Sequence, residues 1–158
     1  MHKTFNDLSL KTRENSIKLL NNQLADSFDL YSQIKQAHWT VRGSDFIALH
    51  ELFDSVASHI LEAVDLIAER IQQLGGSAEG TVRISAQKSS LPEYPLTITH
   101  SLDHVRAVSK ALSHFAKRVR HDIDLVSSQD TITADMLTEI MRNVDKDLWF
   151  VESHLEQE

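Results

Sequence analysis

The sequence predicts an all-α protein, a four-helix bundle with one long crossover connection. Apolar residues recur at steps of three and four over four long stretches, as the buried stripe of a helix requires. Only 4 Gly and 2 Pro interrupt the 158 residues, too few for a sandwich or barrel, which needs a turn about every ten residues. With 41% hydrophobic content the chain is long enough to bury one core, so a single domain over 1–158 is expected.

After a short N-terminal tail, 1–9, the first predicted helix spans 10–39 and carries Ile17, Leu20, Leu24, Phe28, Tyr31 and Ile34 on one face. Gly43 ends the following turn, and Ser44 or Asp45 can cap the second helix, 45–74. The stripe of this second helix, Leu49, Phe53, Val56, Ile60, Val64, Ile67, Ile71 and Leu74, runs up to Gly75-Gly76. Residues 75–97 contain both prolines and the polar run SAQKSS, so they read as the crossover loop, with room for one short helix. The third helix, 99–127, aligns Leu102, Val105, Val108, Leu112, Phe115, Val119, Ile123 and Val126. Residues 127–130 break it, and Thr133 can cap the fourth, 133–156, with Leu137, Ile140, Val144, Leu148, Val151 and Leu155. Two short turns flanking one long connection match the connectivity of ferritin-like bundles.

A net charge of −7 argues against a general nucleic-acid binder, because phosphate neutralisation calls for a basic face. Cysteine is absent, so a metal site must draw on the 9 His and the carboxylates, a donor set suited to iron, manganese or zinc. The N-terminal MHKTFNDLSLKTRENS lacks a signal peptide's apolar run, and no stretch of about 18 apolar residues occurs. A soluble, cytoplasmic protein with no membrane partner is the expectation.

The second helix carries another face beside its core stripe: Ile47, His50, Asp54, Ala57, Ser58, Leu61, Asp65, Ala68 and Glu69. A charged helix face is usually a solvated one laced with ion pairs along the helix. Here no Lys or Arg stands three or four residues from His50, Asp54, Asp65 or Glu69. Asp54 and Asp65 share the face but lie three turns apart, roughly 16 Å along the axis, so one metal cannot bridge them. His50 with Asp54, and Asp65 with Glu69, are therefore two incomplete half-sites, which a second copy would complete. In an antiparallel pairing of two such helices about a twofold axis, facing residues have numbers of constant sum. The pairs His50–Glu69 and Asp54–Asp65 share that sum, and small residues near the axis, Ala57 and Ser58, permit close approach. His38 is as far before Ser44 as His50 is after it, so the first hairpin brings it to the same half-site. Three carboxylates gathered there repel, at about 4 kcal/mol per pair at 4 Å and an effective dielectric of 20, unless cations offset them. Oxygen-rich donors with a minority of imidazoles favour Fe(II) and hold Fe(III) still better.

The run His38-Trp39-Thr40-Val41-Arg42-Gly43, followed by Phe46, Leu49-His50, Phe53-Asp54, Asp65 and Ala68-Glu69-Arg70, resembles the signature of the Dps family of mini-ferritins. The four-helix pattern extends the resemblance over nearly the whole chain. It implies metal ligands His38, His50 and Asp54 from one subunit and Asp65 and Glu69 from its dyad mate, with two irons per intersubunit site. It also implies a hollow homododecamer with ferroxidase activity that oxidises Fe(II), preferentially with hydrogen peroxide rather than O2, stores the ferric mineral inside and limits oxidative damage. Trp39, beside a proposed ligand, is a candidate radical quencher, although packing at the corner of the hairpin explains it equally well. Asp130, Asp135 and Glu139 match the family's acidic pore in type and place, while acids near a helix N-terminus also simply complement its dipole. Glu51 and Glu62 are candidate mineral-nucleation residues.

Strong DNA binding in such proteins uses a Lys- and Arg-rich tail, whereas here Lys3, Lys11 and Arg13 are offset by Asp7 and Glu14, and Glu156-Gln157-Glu158 is acidic. Weak or absent DNA binding is expected, and a nucleoid-protecting protein with incidental metal is the alternative. A di-iron oxygenase, the enzymatic rival, rests on Glu-x-x-His pairs, and none occurs. His100 and His104 form an i, i+4 pair that zinc can use, although exposed His at this spacing commonly mean nothing. His59 falls near the proposed dyad, and zinc also suits the five-residue ligand set as a substitute for iron.

Overall fold

Four apolar stripes converge on one core in the computed structural model, which describes residues 1–155. The helices are α1 (Leu10–Thr40), α2 (Phe46–Gln73), α3 (Val82–Lys88), α4 (Ser101–Val126) and α5 (Thr131–Glu152). Helices α1 and α2 form one hairpin and α4 and α5 another, with α3 inside the crossover between them. Phe53, Phe115, Leu20, Leu24, Ile60, Ile67 and Leu112 are among the largest fully buried side chains. The polar run expected as loop thus contributes part of α3, the short helix that the crossover had room for. The C-terminal end of the fourth predicted helix, residue 156, and the acidic triplet 156–158 lie outside the described residues.

The helix ends follow local chemistry. Ser9 Oγ accepts the Thr12 amide at 3.1 Å and caps α1. At the same open end of the first hairpin, α2 stops in a Schellman arrangement: Gly76 N bonds Ile71 O and Gly75 N bonds Gln72 O, both at 2.9 Å. Gly75 adopts φ +85°, where a side chain is strained. For α5 the cap is Asp130 rather than the expected Thr133, whose amide donates to Asp130 Oδ1 at 3.1 Å.

Polar side chains of α1, several of them buried, hold the crossover. Asp26 accepts from both the amide (2.6 Å) and the hydroxyl (2.9 Å) of Ser90. Asp29 accepts from Ser89 Oγ at 2.6 Å, Gln33 donates to Pro92 O at 3.0 Å, and Asn21 bonds Ser77 O and the Glu79 amide. A loop laid over a helix must satisfy its own backbone groups, and these side chains do so.

Candidate metal half-site

The α1–α2 hairpin brings His38, at the C-terminal end of α1, against His50, in the first turns of α2. Each imidazole bonds through Nδ1 to the other residue's backbone carbonyl oxygen, at 2.8 Å in both directions. The rings stack with centroids 3.8 Å apart and 20° between planes, and the Phe46 ring lies 4.9 Å from that of His50. A carbonyl only accepts, so both Nδ1 atoms carry hydrogen, and Nε2 is the nitrogen of each ring left for a metal. The carbonyl of His38 is one of the last four of α1, which have no partner within the helix, so His50 also closes that helix end. Fixing Nδ1 on a backbone carbonyl is the usual way a metal-binding imidazole is held in tautomer and orientation.

Asp54, one turn beyond His50, has Oδ1 3.9 Å from His38 Nε2 and 2.6 Å from Lys35 Nζ. The hydrogen bond from Lys35 is the largest influence on its carboxyl and holds it below the usual carboxylate range. Spacing along α2 carries no sign of this partner, because Lys35 stands on α1 and reaches across the hairpin. The same ammonium lies 5.8 Å over the Trp39 ring, which is 67% exposed rather than packed into the corner.

Asp65 and Glu69 are exposed on the next turns of α2, remote from the histidines. Among the described residues no three His, Asp or Glu side chains converge tightly enough to hold a metal within one chain. Exposed Ile47, Leu61 and Trp39 lie on or beside the same surface.

The family model described as a ferritin-like domain matches residues 17–158. The DNA protection during starvation protein of Agrobacterium fabrum is 39% identical over 157 residues, covering 99% of this chain and 97% of that protein. The Dps of Mycobacterium smegmatis in its tetragonal crystal form superposes with a TM-score of 0.94 at 29% identity, covering 99% of this chain and 95% of the other. The chain belongs to the Dps family of mini-ferritins. The Dps of Microbacterium arborescens in its high iron form also matches, with a TM-score of 0.88 and 34% identity over 94% of this chain and 97% of that one. Membership in the Dps family places the chain among proteins of iron storage and protection that assemble as homo-oligomers.

The remaining sequence-derived positions of this Dps chain separate. Asp130 is 1% exposed, and besides the Thr133 amide it accepts from Thr133 Oγ1, Ser16 Oγ (3.0 Å) and Arg70 Nη2 (2.9 Å). Burial pushes its carboxyl up, but the Thr133 bonds, the Arg70 charge and the Ser16 bond together hold it below the usual range. A carboxylate enclosed by its own chain cannot line a pore, so Asp130 is a cap and ion-pair residue. Asp135 and Glu139 are exposed one turn apart on α5, and Glu51 and Glu62 are exposed on α2. His104 is buried rather than exposed, with Nδ1 2.6 Å from the Tyr94 hydroxyl, so it does not form an open pair with exposed His100. His59 bonds Asp147 of α5 at 3.0 Å. These three buried partners, Asp130, His104 and Asp147, carry no periodic signal of their own, and only the packing reveals them.

Proposed function

We propose that the chain is a ferroxidase subunit whose iron site is shared between two copies. His38, His50 and Asp54 of one subunit and the partner subunit's Asp65 and Glu69 bind two Fe(II) ions as substrate. Hydrogen peroxide is the preferred oxidant, and the ferric product is stored inside a dodecameric cage. The observation that carries this reading is the reciprocal His38–His50 pair: the backbone consumes both Nδ1 atoms and leaves Nε2 of each ring for a metal, that of His38 lying 3.9 Å from Asp54 Oδ1. That is a half-site of three donors whose natural complement is a carboxylate pair from elsewhere.

Three further points support it. Asp65 and Glu69 have the type and spacing of that complement under antiparallel pairing of two α2 helices. Exposed apolar side chains on or beside the α2 surface, Ile47, Leu61 and Trp39, are what an interface between copies covers. The Microbacterium arborescens relative has a structure described as its high iron form. Two irons side by side let peroxide accept both electrons at once, which limits one-electron release of hydroxyl radical. Asp135 and Glu139 are suited to an acidic entry and Glu51 and Glu62 to mineral nucleation, all four being exposed carboxylates. DNA binding at physiological salt is not part of the proposal, since Arg13, one of the few cations near the N-terminus, is occupied by the carbonyls of Leu8 and Leu74.

The test is anaerobic Fe(II) loading followed by peroxide or oxygen, comparing wild type with Asp54→Ala and Asp65→Ala. Both substitutions slow oxidation comparably if the residues face each other across one interface. Loss from only one of them, or a protein that stays monomeric at micromolar concentration, overturns the shared site.

A further inference from the structure

Tyr94, at the end of the crossover, and His104, in the first turn of α4, form a pair that iron binding does not use. The phenol oxygen is 2.6 Å from His104 Nδ1, and the two rings lie 21° from parallel with centroids 6.2 Å apart. His104 is 1% exposed, and its Nε2 finds no partner among the described residues. Burial lowers the imidazole's affinity for a proton and pushes the phenol up to about 12. Both groups are therefore neutral at neutral pH, and with the imidazole hydrogen on Nε2 the phenol O–H donates to Nδ1. A buried imidazole with one unpartnered nitrogen is costly merely to position a tyrosine, since a glutamine or threonine would accept the same bond.

The surroundings suggest a use for it. Tyr94 and Trp39 line one cleft between α1 and the crossover. Trp39 is itself the neighbour of His38. An oxidant of the hydroxyl-radical class that escapes the iron site meets this exposed indole early.

We propose that Tyr94 is a one-electron donor to oxidised Trp39, with His104 Nδ1 taking the phenol proton. The oxidant removes one electron from the indole and leaves a radical cation. The Tyr94 O–H bond then breaks: its electron restores Trp39, its proton forms an N–H bond at His104 Nδ1, and a neutral tyrosyl radical remains beside an imidazolium. Total charge is unchanged. A further Fe(II), oxidised to Fe(III), returns the electron to Tyr94 as the proton comes back from His104. The source of the oxidant rests on the ferroxidase reading above, whereas the transfer itself does not.

The experiment separates the two. In metal-free, full-length protein carrying Trp149→Phe, a photochemical one-electron oxidant generates the radical at Trp39, followed by transient absorption. The tryptophanyl signal decays into a tyrosyl signal. Tyr94→Phe abolishes the tyrosyl signal and prolongs the tryptophanyl one, while Tyr31→Phe changes neither. His104→Gln keeps a hydrogen-bond acceptor but no proton acceptor, and slows the transfer on the order of a hundredfold, the low end of what a positioned base contributes. Deuterated solvent slows the wild-type step. A tyrosyl yield unchanged in Tyr94→Phe, or a rate unchanged by both His104→Gln and deuteration, overturns the proposal; if His104→Gln does not fold, Tyr94→Phe and the isotope effect decide. In a second arm, peroxide is added to the Fe(II)-loaded protein and the radical is trapped by freeze-quench electron paramagnetic resonance. Absence of the Tyr94 radical there, when light produces it, counts against the iron-derived oxidant and not against the pair.

Discussion

His38 and His50 hold each other by a reciprocal pair of ring-to-backbone hydrogen bonds, 2.8 Å each, that joins the end of one helix to the start of the next. Removing either ring therefore has two effects. His50→Ala takes away one donor and leaves the α1 carbonyl of His38 without its cap. Zn(II) affinity, measured by calorimetry as a proxy for Fe(II), is expected to fall by at least about tenfold, the lower end for loss of even an outer-shell partner. Unchanged affinity would remove His50 from the site.

Lys35 occupies the Asp54 oxygen nearest to His38 Nε2, so an incoming cation must displace an ammonium ion. Lys35→Met is expected to tighten divalent-metal binding. It should also return the Asp54 carboxyl toward 3.8, because the Lys35 hydrogen bond is the first cause of its depression. Carboxyl-carbon NMR titration of metal-free protein reads that change. The linkage sign is that of a depressed acid: the Lys35 contact favours the fold above the unfolded value and loses that contribution as pH falls through the folded one.

Arg70 and Asp130 make a buried ion pair between α2 and the start of α5, at 2.9 Å. Arg70→Met leaves the Asp130 charge enclosed and is expected to cost about 3–5 kcal/mol of unfolding free energy. Adding Asp130→Asn should recover part of that cost by removing the stranded charge. A double-mutant cycle by denaturant melts checks this, and strict additivity would mean the two groups are not coupled.

Asp122 of α4 is pushed up by burial, more than the Gln23 bond and nearby Arg118 and His121 pull it down. The unfolded carboxyl ionises near 3.8, the folded one higher, so stability falls as pH rises through that interval. Asp122→Asn should raise Tm at pH 7 and leave it unchanged at about pH 3, where both forms are neutral. An equal gain at both pH values would assign the effect to packing instead.

The helix count, the hairpin pairing and the crossover were legible because each rests on a repeating signal: apolar residues three and four apart, ended by Gly43, Gly75 and two prolines. The face of α2 was legible for the same reason, since helical spacing alone puts His50, Asp54, Asp65 and Glu69 on one side. The crossover's attachment to α1 was not, because no repeating pattern marks Asp26, Asp29 and Gln33 as the partners of Ser90, Ser89 and Pro92.

The sequence by itself determined the fold class and which residues share a helical face, because both depend on distances along one helix. Only the tertiary structure decided what each polar group bonds to. It turned Asp130 from a candidate pore residue into a buried cap, His104 from half of an open histidine pair into the partner of Tyr94, and Lys35 from an unremarked cation into the neighbour of Asp54. Those contacts join residues distant in sequence, and a hydrogen bond over less than 3 Å is set by the packing of two helices, which no local pattern encodes.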